Sequence, residues 1–367
     1  MYTEMEDRVS ITGTLLRSRA VAALTSPHGV DRYLEIVNPM WAAHEVRARI
    51  VDVHREVDVP GHPAVATLTL RPTATWRGHR AGQHVQVGVE VAGARRTTRV
   101  FSISSSDSRP GDDITITVRA NPDGVVSRWL VEEVRPGAIL HLSQAQGEFV
   151  LPDRMPEHIV LISGGSGITP VMSMLRSLQR RTHRGRITFL HYAQSPQHQI
   201  FAEELAEVAR TGYGTDLHLL HPELGDPALS PAWLERHIPG YRDLPTWACG
   251  PAPLIEAVQA AYDGSDALHV EYFKPPRVAV GDSVEGEIVF ARSGVEAVNT
   301  GETLLEQAEA AGLAPEFGCR MGICFSCTAR KSEGTVRNIL TGETSSLPDE
   351  EIRICVSSPA GDCVVDL

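Results

Sequence analysis

The spacing of apolar residues changes along the chain, and each change marks a different kind of structure. From Val46 to Leu142 apolar and polar positions alternate with a period of two. Val46–Val53, Ala64–Leu70, His84–Val91, Thr97–Ser104, Asp113–Arg119 and Ala138–Leu142 read as strands separated by Gly, Pro and Asp turns. One helical stretch, Val125–Val134, interrupts them. Short strands at this density predict a small antiparallel β-barrel. From Ile159 strand-length apolar runs alternate with helical patterns. Strands at Ile159–Ile162, Ile187–Tyr192, Asp216–Leu220, Thr246–Cys249 and Leu268–Tyr272 enclose helices ending at Leu178 and covering Phe201–Ala209, Pro231–Ile238 and Pro251–Ala261. That alternation predicts a parallel, doubly wound α/β sheet. After the stiff Lys274-Pro-Pro-Arg277 segment the pattern becomes mixed. It has strands at Glu287–Phe290, Val295–Asn299, Ile352–Val356 and Cys363–Asp366. One helix, Thr303–Ala311, has Gly312 as a C-cap candidate.

Residues 1–45 carry the weakest pattern. Val9, Leu15, Leu16 and Leu24 have helix-like spacing, Asp31–Val37 is apolar enough to pack, and Tyr2, Tyr33 and Trp41 suggest an arm lying on the next domain. The expected division is therefore an arm (1–45), a barrel (46–152), an α/β domain (153–274) and a small mixed domain (275–367).

Composition narrows the class. Of 367 residues, 42% are hydrophobic and 22% charged, as in soluble globular proteins. No apolar run has the length of a membrane span, and the acidic start Met-Tyr-Thr-Glu-Met-Glu-Asp lacks the regions of a signal peptide. A cytoplasmic location and a monomer are the expectation. The net charge of −12 argues against a nucleic-acid partner. From Pro275 onward 15 Asp and Glu stand against 7 Lys and Arg, so most of the excess lies on the last quarter of the chain. An acidic face there would steer toward a basic partner surface, or simply keep a small domain soluble.

The stretch Gly318-Cys-Arg-Met-Gly-Ile-Cys-Phe-Ser-Cys327 carries the clearest chemistry. Cys319, Cys324 and Cys327 are spaced Cys-x4-Cys-x2-Cys, and Cys355 follows at a distance. That is the plant-type [2Fe–2S] ligand pattern: three thiolates from one loop and a fourth from a later segment. A zinc site would usually show a second close pair, which is missing. Gly318 and Gly322 would let the loop take positive φ angles and turn N–H groups toward the sulfurs. Cys363, the cysteine beyond Cys355, reads as a buried structural thiol. The motif resembles the plant-type ferredoxin domain, and the match from Gly286 to Leu367 implies a β-grasp fold.

Five upstream motifs fit one larger resemblance. Arg99-Val-Phe-Ser-Ile-Ser-Ser105 resembles the Arg-x-Tyr-Ser-x-x-Ser motif of the ferredoxin-NADP reductase superfamily, with Phe101 in place of tyrosine. There Arg99 would meet a flavin's phosphates, Phe101 would cover its ring, and Ser102 would stand near N5 as a catalytic contact. Gly124-Val125-Val126-Ser127 opens the helix of the barrel section and resembles the segment that holds pyrophosphate in FAD-binding members, though a simple N-cap has the same residues. Gly164-Gly165-Ser-Gly167-Ile-Thr169-Pro170 joins a strand to a helix, with glycines for backbone approach, Thr169 as a cap and Pro170 for the first turn. It resembles the pyridine-nucleotide loop of that superfamily. Cys249-Gly250-Pro251 resembles its Cys-Gly-Pro motif, whose cysteine sits near the nicotinamide, although cysteine is often just a small buried residue. Glu271-Tyr-Phe273 resembles the segment that brings an aromatic ring, here Phe273, toward the flavin, and core packing is nearly as good a reading. After Tyr192 the loop Ala-Gln-Ser-Pro-Gln-His-Gln-Ile holds no arginine for a 2′-phosphate, which leans toward NADH. Ser195, His198, Arg180, Arg181 and Arg184 remain alternatives.

Together the motifs imply a multidomain reductase with a flavin β-barrel, a doubly wound nucleotide domain and a [2Fe–2S] ferredoxin domain. NAD(P)H would donate electrons, FAD would divide the pair, and the cluster would pass them singly to a protein acceptor. Such proteins serve oxygenases, phenylacetyl-CoA epoxidases and acyl-CoA desaturases. The leading expectation is a di-iron oxygenase or a fatty-acyl desaturase, soluble or membrane-bound. The alternative is a Rieske ring-hydroxylating oxygenase or a P450. A redox sensor without turnover fits poorly with a complete ligand set and an intact nucleotide loop.

Overall fold

The computed structural model describes residues 25, 30–90, 96–122, 124–212, 214–273, 285–318, 320, 322 and 325–367. Tyr2, the 8–24 stretch, Lys274–Arg277, Cys319 and Cys324 lie outside the described residues.

The alternating section folds as one six-stranded antiparallel sheet. Its strands are β1 (Val46–Val57), β2 (Val65–Pro72), β3 (His84–Val89), β4 (Thr97–Ser102), β5 (Ile114–Arg119) and β6 (Ile139–Leu142), in the order β4-β3-β6-β1-β2-β5. The two outer strands meet through the bridge of Ile103 with Ile116, which closes the sheet into a barrel. Inward residues such as Ile50, Leu68, Val87 and Ile116 are wholly buried and form its core. The expected helix Val125–Val134 is α2 (Val125–Arg128), which passes into a π-helical turn, Trp129–Glu133. It packs against β4 and β5.

The arm reaches the barrel by a route the aromatic residues did not suggest. In α1 (Val30–Val37), Asp31 is buried, and its carboxylate accepts from the backbone N–H groups of Ala43, His44 (2.9 Å) and Glu45 (3.1 Å). Arg47 of β1 is wholly buried and donates to the carbonyls of Pro39 (2.8 Å) and Asp31 (3.2 Å). Its charge faces Glu45 at 3.2 Å and Glu35 at 3.9 Å. Tyr33, Ile36, Val37 and Trp41, expected to pack, are exposed. Buried polar groups must be paired, and satisfying Arg47 and Asp31 orders this segment more firmly than apolar contact does.

The second section forms a five-stranded sheet, order β11-β10-β7-β8-β9. Its strands are β7 (His158–Gly164), β8 (Arg186–Tyr192), β9 (Thr215–Leu220), β10 (Thr246–Gly250) and β11 (Leu268–Tyr272). β7 pairs with β8, and β8 with β9, in parallel. The helices between them are α3 (Ile168–Arg180), α4 (Ala202–Thr211), α5 (Pro231–His237) and α6 (Ala252–Tyr262).

The last section is a mixed sheet under one helix. β12 (Glu287–Phe290) pairs antiparallel with β13 (Val295–Val298) and parallel with β17 (Ser357–Val365). β17 in turn pairs antiparallel with β14 (Thr328–Asn338), which also carries β15 (Thr344–Ser345) and β16 (Glu350–Arg353). Helix α7 (Leu304–Ala310) begins at a capping box, with Thr303 and Glu306 each bonded to the other's backbone N–H. It ends where Gly312 takes φ 83° just beyond the Ala311 cap. The expected strand Ile352–Val356 stops at Arg353, because Ile354 and Cys355 turn toward the cysteine loop. The expected Cys363–Asp366 strand begins six residues earlier, at Ser357. Cys363 is buried within it, and burial pushes its thiol up to about 11.

Candidate functional site

β4 carries the residues marked for a flavin. Strand alternation puts Arg99 and Phe101 on one face and Ser102 on the other. Arg99 is half-buried and donates to the carbonyl of Thr98 (2.8 Å). Phe101 packs on the barrel core with part of its ring uncovered. Ser102 is buried opposite His84 at the strand's end. Beside β4, Gly124 and the first turn of α2 give a tight corner. A Cβ on Gly124 would stand 2.6 Å from Ser127 Oγ, so a larger residue would displace that hydroxyl. Ser127 is not a conventional cap: its hydroxyl accepts from the N–H of Asn121 (3.0 Å) and donates to the Gly124 carbonyl (3.4 Å). Val126 is buried, and Val125 faces outward.

The Gly-rich loop leaves β7 at Gly164, makes a 3₁₀ turn over Gly165–Gly167 and enters α3. This turn lies against β5 of the barrel. Gly165 takes φ 53°, and no atom lies within 4 Å of where its Cβ would be, so the loop opens onto free space. The N-cap of α3 is Gly167, so no side chain claims the first-turn N–H groups. Thr169, expected as the cap, lies inside the helix and donates to the Ser166 carbonyl (3.0 Å). Pro170 sits in the first turn, where its missing N–H costs nothing. Space and glycines at a helix start suit a pyrophosphate.

Cys249, next to last in β10, is wholly buried, with Gly250 buried at the strand's end and Pro251 exposed as the N-cap of α6. Phe273, half-buried, follows β11. A residue the sequence reading passed over is Glu271. It is buried on β11, and its Oε2 has no hydrogen-bond partner among the described residues. Burial pushes its carboxyl up to about 8. Burial, then the nearby Glu271, pushes the Cys249 thiol well above its usual range. Near neutral pH both groups are therefore protonated and uncharged. An acidic residue in the strand Leu-His-Val-Glu-Tyr was the available signal.

In the cysteine loop Cys327 and Cys355 are both buried in the core of the third section. Pairing of Thr328 with Arg353, and the bond from Ile354 N–H to the Cys327 carbonyl (3.2 Å), bring their two segments side by side. Gly322 takes φ 73°, and Arg320 and Phe325, which the sequence did not mark, take φ 56° and 57°. The Gly322 N–H points to Cys355 Sγ at 3.2 Å. Arg320 pairs with Glu309 and lies over the Phe317 ring at 4.0 Å. Arg353 binds the Gly322 carbonyl and lies over exposed Phe325 at 4.9 Å. A buried sulfur receiving a backbone N–H fits thiolate ligation of a cluster.

These three sites define a class: an electron-transfer oxidoreductase that combines flavin, pyridine nucleotide and an iron–sulfur cluster. Family models agree section by section. The FAD-binding domain of oxidoreductases matches residues 52–151, the oxidoreductase NAD-binding domain 161–260, and the 2Fe-2S iron-sulfur cluster binding domain 289–360. An NADPH oxidoreductase of Mycobacterium tuberculosis is 37% identical over 356 residues, covering 95% of this chain and 91% of that one. A glycine betaine monooxygenase reductase subunit of Pseudomonas aeruginosa is 30% identical, covering 78% of this chain and 87% of its own. Phthalate dioxygenase reductase shares the fold, with TM-score 0.58 and 22% identity over 88% of this chain and 98% of its own. The chain belongs to the family of NAD(P)H-dependent oxidoreductases that join an FAD-binding barrel, an NAD-binding domain and a C-terminal [2Fe–2S] domain. FAD, the cluster and NAD(P)H are its redox groups.

Proposed function

We propose that the protein is the reductase component of an oxygenase or fatty-acyl desaturase system, drawing electrons from NAD(P)H and delivering them one at a time to a partner protein. The observation that carries this is the cluster loop, where buried Cys327 and Cys355 sit behind an outward-facing Phe325. The oxygenase arm is supported by relatives named as reductase subunits of monooxygenases. The desaturase arm rests on the resemblance of the Cys319–Cys327 stretch. A Rieske oxygenase or P450 as acceptor is a second reading, favoured by the shared fold with phthalate dioxygenase reductase and a self-sufficient P450 monooxygenase.

The chain's own residues have defined tasks in this reading. Gly165, Gly167 and the open first turn of α3 hold the nucleotide pyrophosphate. Arg99, Gly124 and the start of α2 hold the FAD phosphates, with Phe101 and Phe273 covering its ring. Ser102 and the neutral Cys249 thiol contact the reacting rings without adding charge. Cys319, Cys324, Cys327 and Cys355 ligate the cluster. When bound, FAD accepts a hydride and releases its electrons singly, and the cluster carries one at a time.

We infer NADH as the preferred donor. Of the three arginine alternatives for gripping a 2′-phosphate, Arg180 and Arg181 are engaged elsewhere, on Ser106 and Asp107, while Arg184 is exposed. In the loop after β8, Ser195 Oγ is bonded to His198 Nδ1 at 2.8 Å. The Mycobacterium relative is named for NADPH, so kcat/KM for the two nucleotides decides the point. A cytoplasmic monomer with domain limits near 152 and 274 completes the proposal. Among the described residues no helix is long and apolar enough to cross a membrane. The functional test pairs the holoprotein with candidate oxygenases and desaturases and follows NADH-dependent product formation. Turnover should fall with salt if the acidic last section guides docking. No turnover with any of these classes would overturn the assignment.

A further inference from the structure

Helix α3 carries the nucleotide loop at its start and a polar face along its side. Ser173, Arg176, Ser177 and Arg180 follow the i, i+3, i+4, i+7 spacing of one helical stripe. All four meet the segment Ser104–Asp107, which follows β4 and includes the end of the flavin motif. Ser173 Oγ donates to the Ser105 carbonyl, and Arg176 Nη1 to the Ser104 carbonyl (2.6 Å). Ser177 Oγ accepts from the Asp107 N–H (2.9 Å), and Arg180 Nη1 donates to the Asp107 carbonyl (2.6 Å). Each contact reads backbone, so each fixes the path of the strand exit.

Arg176 also holds the next helix, α4. Its Nε donates to Glu204 Oε1 on α4 at 2.9 Å, its Nη2 bonds the other oxygen, and its guanidinium lies 4.5 Å over the Phe201 ring. Phe201 is the N-cap of α4 and takes φ 58°, a left-handed backbone that a bulky residue adopts only when its surroundings enforce it. Its N–H donates to Glu56 Oε2 of β1 at 3.0 Å, while Glu56 Oε1 accepts from Thr67 at 2.6 Å. Arg176 thus joins the exit of the flavin strand, the helix that starts at the nucleotide loop, and the helix that follows the β8 loop.

We propose that Arg176 is a positioning residue for hydride transfer, holding the nucleotide loop at a fixed distance from the flavin strand. The proposal rests on the reductase reading above. The hydride passes from the nicotinamide to the flavin with its electron pair, oxidising one and reducing the other. Arg176 takes no part in that bond change and sets only the approach, on which rate depends steeply.

The test uses FAD- and cluster-loaded wild type, R176Q, R176K and E204Q in anaerobic stopped flow with NADH and NADPH, alongside amide hydrogen exchange. R176Q should lower the limiting rate of flavin reduction by about tenfold or more, with nucleotide Kd changed by less than about threefold and FAD content unchanged. Exchange should rise together in the 104–107 and 201–205 segments. R176K keeps the charge without the planar fork and should fall between. E204Q weakens the same fork and should lower the rate several-fold, which keeps the proposal testable if R176Q fails to fold. An unchanged limiting rate in R176Q or E204Q, or a loss seen only as weaker nucleotide binding, overturns the proposal alone. A wild type whose flavin neither nucleotide reduces overturns it together with the functional reading.

Discussion

The backbone N–H of Gly322 donates to Cys355 Sγ at 3.2 Å, tying the cysteine loop to the fourth cysteine of the motif. The contact is possible because Gly322 lacks a side chain. A Cβ there would meet Val356 Cγ2 at 2.8 Å, and the residue's φ of 73° disfavours any L side chain. The left-handed backbone alone costs about 1–3 kcal/mol. G322A should therefore lose most of its cluster while keeping FAD. Iron content and the EPR signal of the reduced protein measure this against flavin absorbance. V356A placed on G322A removes the clash and should restore part of the iron. A G322A protein with full iron would show that the N–H contact and the fit are dispensable.

C324S separates the two halves of the electron path. Reduction of one-electron protein acceptors such as cytochrome c should be lost. Flavin reduction by NADH, which uses residues of the first two sections, should stay within about twofold of wild type. Equal loss of both in stopped flow would mean that the modules are not arranged in series.

Much of this architecture can be read from local pattern, and what escapes has a common cause. Strands β1–β11 follow from period-two runs and from strand–helix alternation, and α7 from Thr303, Glu306 and Gly312. β14 was missed because its inward positions include Lys331, which is wholly buried and bonded through Nζ to the carbonyls of Gly334 (2.9 Å) and Leu347. A lysine inside breaks the hydrophobic pattern, and only its long-range partners explain it. The Asp31–Arg47 anchor and the Arg176–Glu204 fork escaped for the same reason. Each joins polar residues far apart in sequence, where no periodicity marks them. The cysteine motif stands out because three of its four cysteines lie close together in sequence, whereas Glu271 acquires its chemistry from tertiary burial.

His79 ties the flavin motif to acid sensitivity. Its Nδ1 bonds Ser108 Oγ at 2.6 Å, and its Nε2 faces the carbonyl of Ser105 at 3.4 Å, so the neutral ring accepts at Nδ1 and donates at Nε2. Burial pulls its pKa down to about 4, against the opposing influence of the Ser105 carbonyl, Asp107 and Asp112. The unfolded chain takes up this proton near pH 6.5, and the folded one only near 4. Between these values the unfolded state binds more protons, so stability falls as pH drops. His191, pulled by burial and then His221 to about 3, adds to the same trend. Thermal scans should show Tm falling from pH 6.5 to 4, less steeply in H79Q. Equal slopes would remove His79 from the account.

Glu271 gives the opposite sign at the other end of the pH scale. Its carboxyl is held neutral by burial, with a folded pKa of about 8 against 4.5 in the unfolded chain. Below pH 4.5 both states are protonated and its contribution is fully present. Between 4.5 and 8 the folded state binds the extra proton, so stability declines as pH rises through this window, and the loss is complete above it. E271Q keeps the shape and polarity but cannot ionise. Its Tm should match wild type near pH 5 and exceed it increasingly toward pH 9. Fully ionising a buried carboxyl with this shift is worth several kcal/mol, roughly 1.4 per pKa unit. The neighbouring Cys249 thiol, relieved of a carboxylate, should also titrate at lower pH in E271Q, seen as thiolate absorbance near 240 nm in difference spectra against C249S. Parallel Tm profiles for wild type and E271Q would mean that Glu271 is ionised in the fold, and the neutral pair at the ends of β10 and β11 would have to be abandoned.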